Sequence, residues 1–287
     1  MNFTESIEQL MKGAIDFHVH ADPDPYHPRR VDVLDLALQA KESGMKAIVA
    51  KCHHFGTAPL AYLVNKIVPG FTLIGSLTLN SEAGGLNPEI VEVAVRSGAK
   101  VIWMPTSSSV VDRGRMQSNK KGLEGISLID KENRLLPPVR SILEIIKEND
   151  IVLGTGHISI PEIYALTAEA IRMGIKVTIT HPLNSSFGSM LTIEQQKELV
   201  GMGAYIEHCF VSCMPVLGGL SPKVMVEHIR AVGEEHCILS TDFGQAIHPT
   251  PPEGFRMMIG YMIQFGLSEK ELEILIKINP SKLLGLT

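Results

Sequence analysis

Four histidines and one aspartate close short apolar runs in this chain, and their residue types suit a metal ion. His18-Val19-His20 ends the run 14–20, His157 ends 151–157, His181 ends 176–181 and Asp242 ends 237–242. In an extended strand alternate side chains share a face, so His18 and His20 fall together, with Asp16 on the same face. Imidazole nitrogens with a carboxylate oxygen form a borderline donor set that suits Zn²⁺ first, with Mn²⁺ or Fe²⁺ as alternatives. A single histidine at a strand end is more often a polar core residue than a ligand. Donors at the ends of several separate runs call for a shared reason, and the expectation is one or two divalent ions held by His18, His20, His157, His181 and Asp242.

Other reactive groups cluster near those ends. Lys51-Cys52-His53-His54 follows the run at 47–53. Lys51 is expected in catalysis, either touching substrate or, carboxylated, as a metal bridge. His53 and His54 are expected at the substrate, with Gln245 beside Asp242. Glu207 and His208 end another run, and alternation turns only one of them inward. Arg29, Arg30, Arg113 and Arg115 could favour a carboxylate or phosphate on the substrate. Cys209 and Cys213 are read as ordinary thiols. His27, His228, His236 and His248 have no evident partner, although His248 lies near Asp242 in sequence.

The elements that must position these groups are legible as alternation. Eight apolar or β-branched runs, at 14–20, 47–53, 71–79, 101–106, 151–157, 176–181, 204–208 and 237–242, are separated by amphipathic stretches. Those stretches fall at 31–44, 59–68, 88–98, 139–149, 161–174, 192–203, 222–233 and 252–266. Pro88, Pro161 and Pro222 mark first turns, where a missing N–H costs nothing, and glycines such as Gly203 mark helix ends. Strict strand–helix alternation requires parallel strands with crossover helices. The 287-residue length suits one α/β barrel, a single (β/α)₈ TIM barrel spanning 1–287. An open doubly wound sheet is the alternative, weakened by the lack of a glycine-rich dinucleotide motif after the first run. Residues 107–137 form one unusually long connection, read as a lid-like insertion with a small hairpin around Lys131–Asn133. Barrel enzymes gather their sites at the C-terminal strand ends, where the histidines and Asp242 stand.

The pattern Asp16-Phe17-His18-Val19-His20, then His157, His181 and Asp242, resembles the amidohydrolase superfamily of metal-dependent TIM barrels, as does the tail Asn279-Pro280-Ser281-Lys282-Leu283-Leu284-Gly285-Leu286. The resemblance implies a metal that acidifies its bound water, with Asp242 shuttling the proton, and hydrolysis of an amide, lactone or other ester. A decarboxylase or other lyase, a phosphoesterase and a non-catalytic metal-binding barrel are the alternatives. Many two-metal members carry a lysine or glutamate at the end of strand four. This chain has Trp103-Met104-Pro105-Thr106 there, which puts a binuclear centre in doubt.

Composition narrows the partners. The net charge of −5 gives no basic face for nucleic acid, and 45% hydrophobic residues can fill a large core. No apolar run is long enough to span a bilayer, and the N-terminus does not read as a secretion signal. Four cysteines at irregular spacing suggest no disulfide framework, so the cytoplasm is the expected compartment. A small-molecule substrate is expected, with homo-oligomerisation left open.

Overall fold

The computed structural model describes residues 2–115 and 124–286. Eight strands form a parallel sheet in sequential order. They are β1 (Ile15–Val19), β2 (Ala47–Ala50), β3 (Thr72–Thr78), β4 (Ala99–Trp103), β5 (Val152–Gly154), β6 (Val177–Thr180), β7 (Tyr205–Cys209) and β8 (Cys237–Ser240). The ring closes at the β8 end: Asp242 N donates to His18 O at 2.8 Å and His20 N donates to Phe243 O at 2.8 Å. The same bonds that close the barrel therefore lock the H-x-H segment against the aspartate. With helices covering the outside, this is the expected single (β/α)₈ barrel.

The crossover helices start where local chemistry provides for them. Asp32 accepts from Leu34 N and Asp35 N ahead of the helix Val33–Glu42, and Asn87 caps the first turn of Pro88–Arg96 beside Pro88. Gly203, at φ 117°, ends the helix Ile193–Met202 in a conformation that costs a side-chain-bearing residue strain. Alternation along the strands splits the core. Ala47, Val49, Val101, Trp103 and Val152 join one cluster, while Ile48, Ala50, Ile102 and Leu153 join the larger one beneath the helices. The first is the barrel lumen. Leu283 and Leu284 from the C-terminal helix Asn279–Leu284 belong to it and seal its far end. The Asn279 amide donates to Glu234 O and Cys237 O, fixing the start of β8. The Trp103 indole fills the lumen against β5, so closely that a Cβ at Gly154 would lie 2.1 Å from its ring.

Two helical segments lie outside the sequence-based expectations. Phe3–Met11 precedes β1, with an Asn2 capping box, and Glu269–Leu284 is helical through a π-helical stretch. The helix expected from 139 begins at Pro137, a favoured first-turn proline. The long insertion is anchored on both sides: Val110–Arg115 is helical, Ser109 bridges Ile126, and Ile129 pairs antiparallel with Leu135 around Asn133 at φ 57°. Glu162 Oε1 accepts from Leu128 N at 2.7 Å, and Leu128 is fully buried. The lid-like reading of 107–137 includes 116–123, which lie outside the described residues. No helix among the described residues is long and apolar enough to cross a membrane.

Candidate metal centre

β1 holds one residue more than β2 between the pairs Asp16–Ile48 and Val19–Ala50. This bulge resets the alternation after Asp16. His18 and His20 both turn to Asp242, their Nε2 atoms 3.3 and 3.1 Å from its Oδ1. Asp16 instead ties the neighbouring strand end: it accepts from Thr241 N at 2.9 Å, Thr241 Oγ1 at 2.5 Å and His18 N at 3.3 Å. The expectation that Asp16 shares the face of the two imidazoles is corrected by the extra residue. It positions their backbone, and burial pushes its carboxyl up to about 7.

His157 and His181 form the opposite wall, with Nε2 atoms 2.9 Å apart. His18 stacks on His181 at 6.1 Å between centroids, so the two histidine groups adjoin. His181 and Asp242 have φ of 27° and 54°, in the left-handed region that few non-glycine residues occupy. Strain of about 1–3 kcal/mol per such residue persists only where the surroundings impose it, and functional sites are its usual place.

Carboxylates that are not in the expected ligand set hold two of these rings from behind. Glu207 Oε1 lies 3.1 Å from His18 Nδ1, and Asp112 Oδ2 makes a short contact with His157 Nδ1. An Nδ1–H donated to a carboxylate leaves Nε2 with its lone pair facing the lumen, the tautomer a metal ligand needs. Lys51 Nζ sits 3.0 Å from His18 Nε2, on that same lone pair. β2 thus turns Lys51 inward, a register the sequence leaves open. Burial lowers the Lys51 ammonium, against the pull of Asp242 and Glu207.

Burial, followed by the charges of Lys51 for His18 and of Arg29 for His20, holds both imidazoles well below their ordinary range. His157 and His181 are likewise lowered by burial. Neutral imidazole is the ligating form. Burial lifts Asp242 to about 7 and Glu207 to about 8, each opposed chiefly by Lys51. A divalent ion supplies the positive charge that such carboxylates lack. His20 Nδ1 and His181 Nδ1 are buried without a hydrogen-bond partner among the described residues, and the donor atoms of His18, His20 and Asp242 all lie within 4.8 Å of one another. The residues fit a divalent metal.

His20, Lys51, His157 and Asp242 line a cavity of about 1240 Å³. His53 stacks on His20 at 4.8 Å and bonds Thr106 Oγ1 through Nδ1 at 2.8 Å, while Asn80 holds that threonine. His54 lies at the rim, edge-on to Tyr26, with Nε2 3.8 Å from Asp24 Oδ1 and neither buried ring nitrogen hydrogen-bonded among the described residues. Gln245 lines the cavity, but both ends of its amide are engaged, Nε2 on Asp242 O at 2.9 Å and Oε1 on His248 Nδ1 at 2.8 Å. It braces the loop that carries the aspartate.

The sequence pattern of a family of unknown function, DUF6282, matches residues 13–207. The chain belongs to the DUF6282 family. That span contains β1 through Glu207, hence all four candidate histidines, Lys51 and Asp112. Comparison of the DUF6282 chain with curated proteins finds no match. Among solved structures it is similar to an amidohydrolase from Pseudomonas aeruginosa, with 14% identity, a TM-score of 0.65 and coverage of 99% of this chain and 98% of that one. It is similar to a 2,6-dihydroxybenzoate decarboxylase at 11% identity and TM-score 0.58, covering 96% and 100% of the two chains. A dihydroorotase is 15% identical with TM-score 0.58, over 96% of this chain and 70% of that one. At these identities the likeness establishes the fold alone, the eight-stranded parallel (β/α)₈ barrel.

Sequence reasoning missed Asp112. It sits in the insertion's short helix, and nothing in Val111-Asp112-Arg113 sets it apart from a solvated turn until folding carries it to His157. Cys209, read as an ordinary thiol, lies with Sγ 3.8 Å from His18 Nδ1. Glu207 is the inward residue of its pair. His208 is buried with both nitrogens unbonded, and burial lowers it to about 3. Asp112→Asn is expected to weaken metal affinity about 10- to 100-fold while leaving the fold intact, since asparagine keeps an oxygen for Gly188 N but loses the carboxylate that orients His157. Competition of the DUF6282 protein with a chromophoric chelator would read that shift, and an unchanged affinity would refute the role given to Asp112.

Proposed function

We propose that this chain is a metal-dependent hydrolase that directs water at an amide, lactone or other ester bond of a small molecule. The observation that carries the reading is the convergence of His18, His20 and Asp242, with His157 and His181 alongside, at strand ends where His20, His157 and Asp242 line one large cavity. These five residues would hold the ion, Zn²⁺ first and Mn²⁺ or Fe²⁺ as alternatives. The ion supplies Lewis acidity toward the substrate oxygen and makes water more acidic.

The chain's own groups divide the remaining work. Asp242 presents Oδ1 to the imidazoles and keeps Oδ2 for a proton, which it takes from water and returns to the leaving group. Lys51 Nζ, buried beside His18, opposes negative charge that develops on the substrate oxygen. His53, fixed through Nδ1, offers Nε2 to the substrate. Water exclusion strengthens each of these interactions.

A decarboxylase is the second reading. It is favoured by the absence of a lysine or carboxylate at the end of β4, where Trp103 and Met104 are fully buried, which leaves a single-ion centre as the simpler arrangement. The test is turnover of amides, lactones, esters and aromatic carboxylic acids by protein loaded with Zn²⁺ or Mn²⁺, in ¹⁸O-labelled water. Label in the product supports hydrolysis, and CO₂ release supports the second reading. A metal-loaded protein that turns over no member of the panel counts against both.

A further inference from the structure

The cavity wall holds two guanidinium groups that the chemistry above does not use. Arg29 lines the cavity with its side chain only 5% exposed. Its Nε and Nη2 both go to Asp24 Oδ2, at 3.0 and 2.6 Å, and its Nη1 makes no hydrogen bond among the described residues. The Arg29 backbone bridges that of Gln245, three residues beyond Asp242. Arg113 lines the same cavity, has no carboxylate partner among the described residues, and keeps a buried Nε without a bond. The guanidinium's sole hydrogen bond among the described residues is a long one, Nη2 to Ser108 Oγ at 3.5 Å.

Apart from Asp24, which holds one edge of Arg29, no acid pairs with either cation among the described residues. Asp112 is taken by His157 and Arg115, Asp242 by the two β1 histidines, and Glu82 by Ser108 Oγ. Arg30 and Arg115, grouped with them in the sequence, are different: Arg30 is exposed and reaches only Ala246 O, while Arg115 pairs with Asp112. Apolar side chains, among them Val110, Phe187, Val211 and Leu217, line the remainder. Burying a guanidinium with unfilled donors is costly unless a ligand completes it.

We propose that the molecule bound here is a small organic acid, whose carboxylate or phosphate group docks on Arg29 and Arg113 while its other end meets the metal ligands. The inference rests on the reading of this cavity as the substrate site. Planar guanidinium donors match an oxyanion, and the apolar lining accepts the carbon body between the two ends.

Titration calorimetry with the monoamides of succinate, glutarate and adipate, each against its diamide, tests the idea on metal-loaded protein. The monoamide offers one carboxylate to the arginines and an amide to the other end, and the diamide has no carboxylate. At least one monoamide is expected to bind tighter than its diamide by about 10- to 100-fold, the range for charge-assisted hydrogen bonds. Arg113→Gln and Arg29→Gln should each erase most of that advantage and leave the diamide unchanged. Arg113 is half-buried and has no carboxylate partner among the described residues, so its variant folds even if loss of the Arg29–Asp24 pair disturbs the other. 4-Phosphonobutyramide in place of the glutarate monoamide tells whether phosphate or carboxylate is preferred. Repeating the titration after metal removal separates the two claims. An arginine-dependent preference for the anion that survives there stands even if no hydrolysis is found. Monoamides that bind no tighter than diamides, or an advantage untouched in both variants, would overturn the proposal.

Discussion

Protein incubated with Zn²⁺ is expected to hold at least one equivalent of metal, and the double variant His18→Ala/His20→Ala to hold none under the same conditions. Both rings converge on Asp242 with neutral Nε2 atoms, so each removal takes a donor from the same point. Losing a group that merely orients a ligand costs about 10- to 100-fold in affinity, and losing two ligands costs more. Stability offers an independent readout. Metal at 100 times its Kd stabilises the wild type by about 2.7 kcal/mol, and the variant should gain nothing. Without metal the variant should unfold at a temperature equal to or above that of the wild type, because it no longer crowds buried imidazoles against Lys51 and a carboxyl group held near 7. Elemental analysis with a paired thermal melt decides this. A well-folded wild type that takes up no Zn²⁺ or Mn²⁺ would remove the metal centre and the hydrolase with it.

Asp242→Asn is expected to retain metal but to lower kcat about 10²- to 10⁴-fold, the usual contribution of a positioned acid–base group. Asparagine keeps an oxygen for the two histidines and the backbone bond to His18 O, yet it has no carboxylate to take up a proton. KM should move little, since the aspartate acts on the reacting water more than on the bound body of the substrate. Steady-state kinetics on any substrate found by the panel, with metal content measured on the same sample, makes the comparison. A variant with full metal and more than a tenth of the wild-type kcat would take Asp242 out of the proton-transfer role.

How much was legible beforehand follows from the range of each physical rule. Hydrophobic periodicity acts within a few residues, so the eight strands and the helices between them could be read directly. Parallel strands joined by crossover helices put every strand's C-terminal end on one rim. Knowing only that His18, His20, His157, His181 and Asp242 end strands was therefore enough to gather them. The N-terminal helix escaped because it precedes the alternating pattern.

Other features depended on contacts between distant segments, which no local pattern encodes. Whether Lys51 turns inward is a matter of register, and one residue of slip reverses it. The bulge in β1, which separates Asp16 from the two imidazoles, exists only relative to β2. Asp112 reaches His157 across 45 residues and Glu207 reaches His18 across 189, and each pairing is fixed by packing after the chain has closed. The same holds for Gln245, whose amide is consumed in bracing the Asp242 loop. The sequence by itself determined the barrel and the donors at its rim, because alternation and strand ends are local properties. Which nitrogen of each histidine faces the centre, which lysine and arginines share the cavity and which carboxylates stand behind the ligands were decided only by the closed tertiary structure, where residues far apart in sequence come within hydrogen-bonding distance.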